Sequence, residues 1–116
     1  MGFLTTHVLD TGRGCPAEGI AIALYRITDG TSECIARRVT NADGRTDTPI
    51  LPAGEFATGC YELVFDAGDY LRATGQGGPE PLFLDQVPIR FGMAQDDHYH
   101  VPLLLSPYGM STYRGS

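Results

Sequence analysis

The sequence predicts an all-β domain, a two-sheet β-sandwich of about eight short strands with one short helix. Three observations carry this. Apolar and polar residues alternate in short runs along most of the chain. Glycine (15) and proline (8) make about a fifth of the 116 residues, a turn-rich composition. Only the stretch 67–74 carries both a helix start and a helix stop signal. The length fits one domain over residues 1–116, long enough to bury a core without metals or disulfides.

The elements follow in order. Residues 5–10 read as a first strand, closed by Thr11-Gly12-Arg13-Gly14. Residues 19–27 read as a second, with Ile20, Ile22 and Leu24 pointing one way and Ala21, Ala23 and Tyr25 the other. Asp29-Gly30 breaks it, and 34–40 reads as a third. Asn41-Ala42-Asp43-Gly44 follows, and its Asp-Gly pair is a hairpin signal. A short run at 48–51 stops at Pro52. In 59–65, Tyr61, Leu63 and Phe65 share a face. Asp66 is placed to cap the helix over 67–74, and Gly75 to end it. Residues 75–81 read as a loop. In 86–93, Val87, Ile89, Phe91 and Met93 share a face. Residues 98–105 form a long strand, Ser106-Pro107-Tyr108-Gly109 a turn, and 110–114 a last strand.

Charge narrows the function. There are 14 acidic and 8 basic residues, a net charge of −6. This argues against nucleic acid and against an anionic membrane as partners, since both need a basic footprint. All eight basic residues are arginine, so lysine Schiff-base chemistry and a P-loop lysine are excluded. Cys15, Cys34 and Cys60 form no CxxC pair, neither a zinc framework nor a disulfide scaffold. No apolar run is long enough to span a membrane. Neither a secretory leader nor a peroxisomal terminal tripeptide is read, so the expected compartment is the cytoplasm.

Chemistry must come from few groups. The three histidines, His7, His98 and His100, each lie in a strand, and spacing of two puts His98 and His100 on one face. Each is read either as a satisfied strand residue or as a functional group. Two functional readings stand: a three-histidine zinc site, or metal-free acid–base catalysis by imidazoles near neutral pH. There is no G-x-S-x-G elbow and no dinucleotide fingerprint. Arg45, directly after Asp43-Gly44, is either a solvated hairpin arginine or a planar fork for a substrate's oxygens. The terminal Ser111-Thr112-Tyr113-Arg114-Gly115-Ser116 is polar but strand-like, and is read either as a frayed end or as a packed one with its side chains in a site.

Several segments together resemble a known family. They are Leu4-Thr5-Thr6-His7-Val8-Leu9-Asp10 with Pro16-Ala17, then Thr40-Asn41-Ala42-Asp43-Gly44-Arg45. Tyr99-His100-Val101-Pro102-Leu103-Leu104-Leu105-Ser106-Pro107 and the closing Tyr113-Arg114-Gly115-Ser116 complete the match. The chain resembles the 5-hydroxyisourate hydrolases, transthyretin-related enzymes of urate breakdown, from residue 3 to 116. Transthyretin itself, a hormone carrier, lacks the closing tetrad and histidines matching His7 and His100.

The resemblance implies a transthyretin-like sandwich and a homotetramer with sites in a channel where two dimers meet. It implies hydrolysis of the cyclic amide of 5-hydroxyisourate without a cofactor or metal. His7, Arg45, His100 and Tyr113 are implied as catalytic. His7, Arg45, Tyr113, Arg114 and Ser116 are implied as substrate-binding. His98 lies outside the matched set and stands as a neighbour. Met110 departs from the family, which usually has an aromatic residue there. The competing expectation is a non-catalytic transthyretin-like carrier of small ligands, which would gain nothing from burying this polar set.

Overall fold

Alternation of side chains along the strands sorts the chain into two facing sheets in a computed structural model, which describes residues 1–115. The strands are β1 (Phe3–Asp10), β2 (Cys15–Pro16), β3 (Ala21–Thr28), β4 (Thr31–Val39), β5 (Gly59–Asp66), β6 (Gln86–Met93), β7 (His98–Ser106) and β8 (Gly109–Thr112). One helix, α1 (Ala67–Ala73), follows β5. One sheet has the order β2-β1-β7-β8 and the other β4-β3-β5-β6. All pairings are antiparallel except β1 with β7, which run parallel in register from Phe3–His98 to Asp10–Leu105.

The predicted inward faces pack against each other. Ile22 and Leu24 of β3 and Leu63 and Phe65 of β5 meet Leu4, Val8, Leu103 and Leu105 from the first sheet, all buried. Burying each such side chain contributes about 1.5–3 kcal/mol. Val87, Ile89 and Met93 of β6 are buried as their alternation requires. The Asp29-Gly30 break is a two-residue hairpin between paired Thr28 and Thr31, with positive φ at both residues, as a primed turn requires.

Three expectations are corrected. The eighth strand is not 48–51, which makes only the single bridge Leu4–Leu51, because Pro49 and Pro52 supply no N–H for a ladder. The strand missed is β2, two residues that pair with Leu9 and Asp10 just after the first turn. Asp66 stands at the helix N-cap position, yet its side chain makes no cap hydrogen bond. Burial, together with Asp69 and Asp85 nearby, pushes its carboxyl upward.

Helix α1 is tied to β1 by a buried carboxylate. Tyr70 Oη donates to Asp10 Oδ2 at 2.6 Å and Gln76 Nε2 donates to the same oxygen at 2.9 Å. The backbone N–H of Arg13 donates to Oδ1. Burial pushes the Asp10 carboxyl up, but these bonds and the Arg13 charge outweigh it and hold it below the usual range. Burial and the Asp10 bond push the Tyr70 phenol up to about 12.

Asp10→Ala strands three donors and is expected to cost about 3 kcal/mol in urea unfolding at pH 7. The lowered carboxyl fixes the pH sign. The contribution is complete above the ordinary carboxylate range and lost as pH falls through the folded value. The gap between the two proteins therefore narrows in acid, and a gap constant down to pH 2 would count against this tie.

Candidate active site

The parallel β1–β7 pairing assembles the histidine face. Leu4, Thr6 and Val8 point into the core, so Phe3, Thr5 and His7 point out. On β7, Tyr99 and Val101 point in and His98 and His100 point out. The register sets Phe3 beside His98 and Thr5 beside His100. Phe3 and His98 stack at 4.1 Å with their planes 7° apart. Thr5 Oγ1 lies 2.7 Å from His98 Nε2 and 2.8 Å from His100 Nδ1.

Arg45 reaches this face through a turn rather than the hairpin expected from Asp43-Gly44. Asn41 Oδ1 accepts from the backbone N–H of Asp43 at 2.9 Å and of Arg45 at 3.2 Å. The Asn41 N–H closes the turn on the Arg45 carbonyl at 2.8 Å. Gly44 has φ +73° and its carbonyl accepts from the Val8 N–H at 2.8 Å. A Cβ there would overlap the Val8 carbonyl, so glycine is required twice over. The turn leaves Arg45 bridged to His7. His7 Nε2 lies 2.8 Å from the Asp43 carbonyl, which only accepts, so Nε2 carries the hydrogen and neutral His7 has Nδ1 free.

A cleft of about 410 Å³ joins Arg45 to His98 and His100, with Thr5 and Asp47 also in its lining, while His7 adjoins it through its bridge to Arg45. His100 is half-buried. Its burial, with the charges of Arg45, His98 and His7, holds its imidazole below the ordinary histidine value, so it is neutral at pH 7. A neutral imidazole facing an arginine in a cleft is a proton acceptor beside an anion clamp. Among the described residues, no three histidine, cysteine, aspartate or glutamate side chains converge as a metal site. The zinc reading therefore lacks a ligand set here. A larger concavity of about 510 Å³ lies on the outer face of the other sheet, lined by Arg37, Glu62 and Asp66, with no histidine.

The terminal tetrad divides. Past β8 the same register resumes, and the Gly115 N–H donates to the His100 carbonyl at 2.7 Å. Pro102 of β7, which has no N–H, interrupts the ladder opposite Tyr113. Alternation then sends Arg114 to the face opposite the cleft. Its guanidinium lies 4.1 Å over the Tyr99 ring and donates to the His98 carbonyl at 3.2 Å. It also pairs with Asp97 at 3.5 Å. Within one chain Arg114 thus holds the start of β7 instead of meeting the cleft. Tyr113 is exposed at the sheet edge and lines a second cleft with Phe91 and Thr112. Ser116 lies outside the described residues.

His7, Arg45 and His100 are thus brought together, and the residue that sequence reasoning missed is Thr5. Its period-two spacing before His7 was the available signal. Its pairing with His100 across 95 positions was not.

Gly115 is glycine because the chain crosses the His100 ring. A Cβ there would sit 2.7 Å from His100 Cδ2. Gly115→Ala is expected to displace that ring, seen as shifted His100 ring resonances in NMR. Any reaction using His100 as proton acceptor should slow by up to roughly 10²-fold. Unmoved resonances would show that the terminus does not hold the ring.

Comparison with known proteins places the whole chain. The chain is 62% identical to the 5-hydroxyisourate hydrolase of Pseudomonas aeruginosa, covering 100% of this chain and 93% of the relative. It superposes on the solved 5-hydroxyisourate hydrolase of Klebsiella pneumoniae with a TM-score of 0.82 and 37% identity, covering both chains fully. It superposes on an (S)-allantoin synthase with a TM-score of 0.92 and 49% identity, covering 99% of this chain but 44% of that one. The HIUase/Transthyretin family matches over residues 4–115, and the chain belongs to it.

Proposed function

We propose that the chain is a hydrolase that opens the cyclic amide of 5-hydroxyisourate to 2-oxo-4-hydroxy-4-carboxy-5-ureidoimidazoline. The observation that carries this reading is the convergence of His7, Arg45 and a neutral His100 at one face, in a chain full-length similar to 5-hydroxyisourate hydrolases.

The mechanism needs a water, a proton acceptor, a clamp for the oxyanion and a proton for the leaving nitrogen. His100 Nε2 takes a proton from water as the water oxygen bonds to the amide carbon. Arg45 holds the oxyanion that forms; among the described residues its guanidinium has no ion-pair partner. The carbon–nitrogen bond then breaks, and the nitrogen takes the proton back from the histidine pair. His7 completes that pair, its Nε2–H fixed on the Asp43 carbonyl and its Nδ1 free for proton exchange. Tyr113 and Ser116 contact substrate or water in this reading.

A homotetramer completes the site. Edge strands β6 and β8 flank one cleft of about 260 Å³, and all four β8 residues are exposed, leaving a ladder open to a second copy. The histidine face is likewise open on the side away from the core, where a facing pair of chains would enclose substrate. The exposed Tyr113 then comes to lie within the assembly. Sedimentation should give four chains per particle, and a monomer with full activity would remove this part.

The ultraviolet decay of 5-hydroxyisourate with and without protein tests the activity. His100→Ala should slow catalysis by about 10²–10⁴-fold, and Arg45→Gln by about 10²–10³-fold. A chelator should leave the rate unchanged. Because His100 titrates below the ordinary histidine value, kcat/KM should hold as pH falls through that value and drop only at lower pH. No acceleration by the folded protein would favour a carrier.

A further inference from the structure

One hydroxyl holds two imidazoles. Thr5 Oγ1 is within hydrogen-bond distance of both His98 Nε2 (2.7 Å) and His100 Nδ1 (2.8 Å). A threonine hydroxyl offers one hydrogen and two lone pairs. It can therefore donate to only one ring, and a ring that does not receive that hydrogen must donate its own. Both rings donating would leave the Thr5 hydrogen with no acceptor among the described residues in a half-buried position. The arrangement that satisfies all three groups within the protein has one ring giving and the other receiving, which links the tautomers of His98 and His100.

We propose that Thr5 is a positioning residue that locks His100 in the tautomer with hydrogen on Nδ1, leaving Nε2 as the bare acceptor toward substrate, and recruits His98 as the second half of a two-histidine unit. The choice between the two tautomer sets rests on the hydrolytic reading above, in which His100 Nε2 must accept. His100 Nδ1–H then donates to Thr5, and the Thr5 hydrogen points to His98 Nε2. His98 is held for this by its stack on Phe3 and by the backbone bond from its N–H to Asp97 Oδ1 at 2.8 Å.

The arrangement also relays charge with every proton accounted for. When His100 Nε2 takes a proton, its Nδ1 hydrogen passes to Thr5 Oγ1 as the Thr5 hydrogen passes to His98 Nε2. Thr5 ends as it began, and the positive charge moves from His100 to His98. That removes it from a half-buried ring facing Arg45 and His7 to one that follows the Asp97 carboxylate. No metal or further acid is needed.

Two readouts test this. Nitrogen chemical shifts of the His100 ring report its tautomer without any turnover. In the wild-type protein they should show hydrogen on Nδ1. Thr5→Val keeps the shape and deletes the hydroxyl, and should move His100 toward the Nε2–H form. It should also lower kcat by about 10–100-fold, the scale of losing an orienting partner, with KM within about threefold. Thr5→Ser should restore both. His98→Phe keeps the stack on Phe3 but frees the Thr5 hydrogen, and should shift the tautomer as Thr5→Val does. A wild-type His100 carrying its hydrogen on Nε2 overturns the lock, even if Thr5→Val does not fold. So does a Thr5→Val protein with unchanged tautomer and unchanged kcat. If the wild-type protein fails to hydrolyse 5-hydroxyisourate, the hydrolytic reading falls, while the tautomer measurements still decide the Thr5 lock.

Discussion

Strands β1 and β7 lie side by side and parallel although nearly the whole chain separates them, and every feature of the site depends on that pairing. A parallel pair needs a long crossover, and here the crossover is the entire second sheet with its helix. The pairing is held from the inside. Leu4, Val8, Leu103 and Leu105 are fully buried against β3 and β5, so a slip of one residue would turn each of them to solvent. The same pleat that buries these four residues turns Thr5, His7, His98 and His100 outward. Core and site are thus two faces of one register. The energy that fixes the catalytic face is hydrophobic and comes from the face that takes no part in chemistry.

Backbone does much of the remaining positioning. The Asn41 turn delivers Arg45, and it does so with a side-chain oxygen, a glycine in left-handed geometry and a carbonyl docked on β1. The chain terminus reaches His100 by extending the β8 register past the gap left by Pro102. Neither device uses an ion pair. That suits the role proposed for Arg45, whose guanidinium must stay available for an anionic intermediate. Arg114, by contrast, is committed to Tyr99, His98 and Asp97, and so stiffens the strand that bears both outward histidines.

Electrostatics then set the protonation state. The chain carries a net charge of −6, yet burial and the Arg45 guanidinium, with His98 and His7 beside it, push the His100 imidazole downward. Local positive charge and burial act in the same direction and keep His100 neutral. A protein acidic overall thereby holds a proton acceptor and an anion clamp in one cleft. Thr5 adds a constraint that charge alone does not supply, since it decides which nitrogen of the neutral ring is bare.

Much of this was legible from residues alone. Alternation in 19–27, 59–65 and 86–93 determined which side chains face the core, because a pleated strand has a period of two whatever its partners. The break at Asp29-Gly30 was legible as well, and the structure makes it a two-residue hairpin. The segments around His7, Arg45 and His100 carried the resemblance to the family that matches over residues 4–115. Other features were decided only in three dimensions. Residues 48–51 looked like a strand, but their prolines leave no ladder to build. Residues 15–16 fall in no predicted element, but β1 offered an edge. The resemblance implies Arg114 as a substrate ligand, and only the resumed register shows that within one chain it turns to Tyr99 and Asp97. The link from Thr5 to His98 and His100 spans more than 90 positions, and local sequence carries no information about such a distance. Sequence determined which face each residue takes on its own strand. The tertiary structure decided which strands lie side by side, and so which outward residues meet, because that choice is made by the burial of the opposite face.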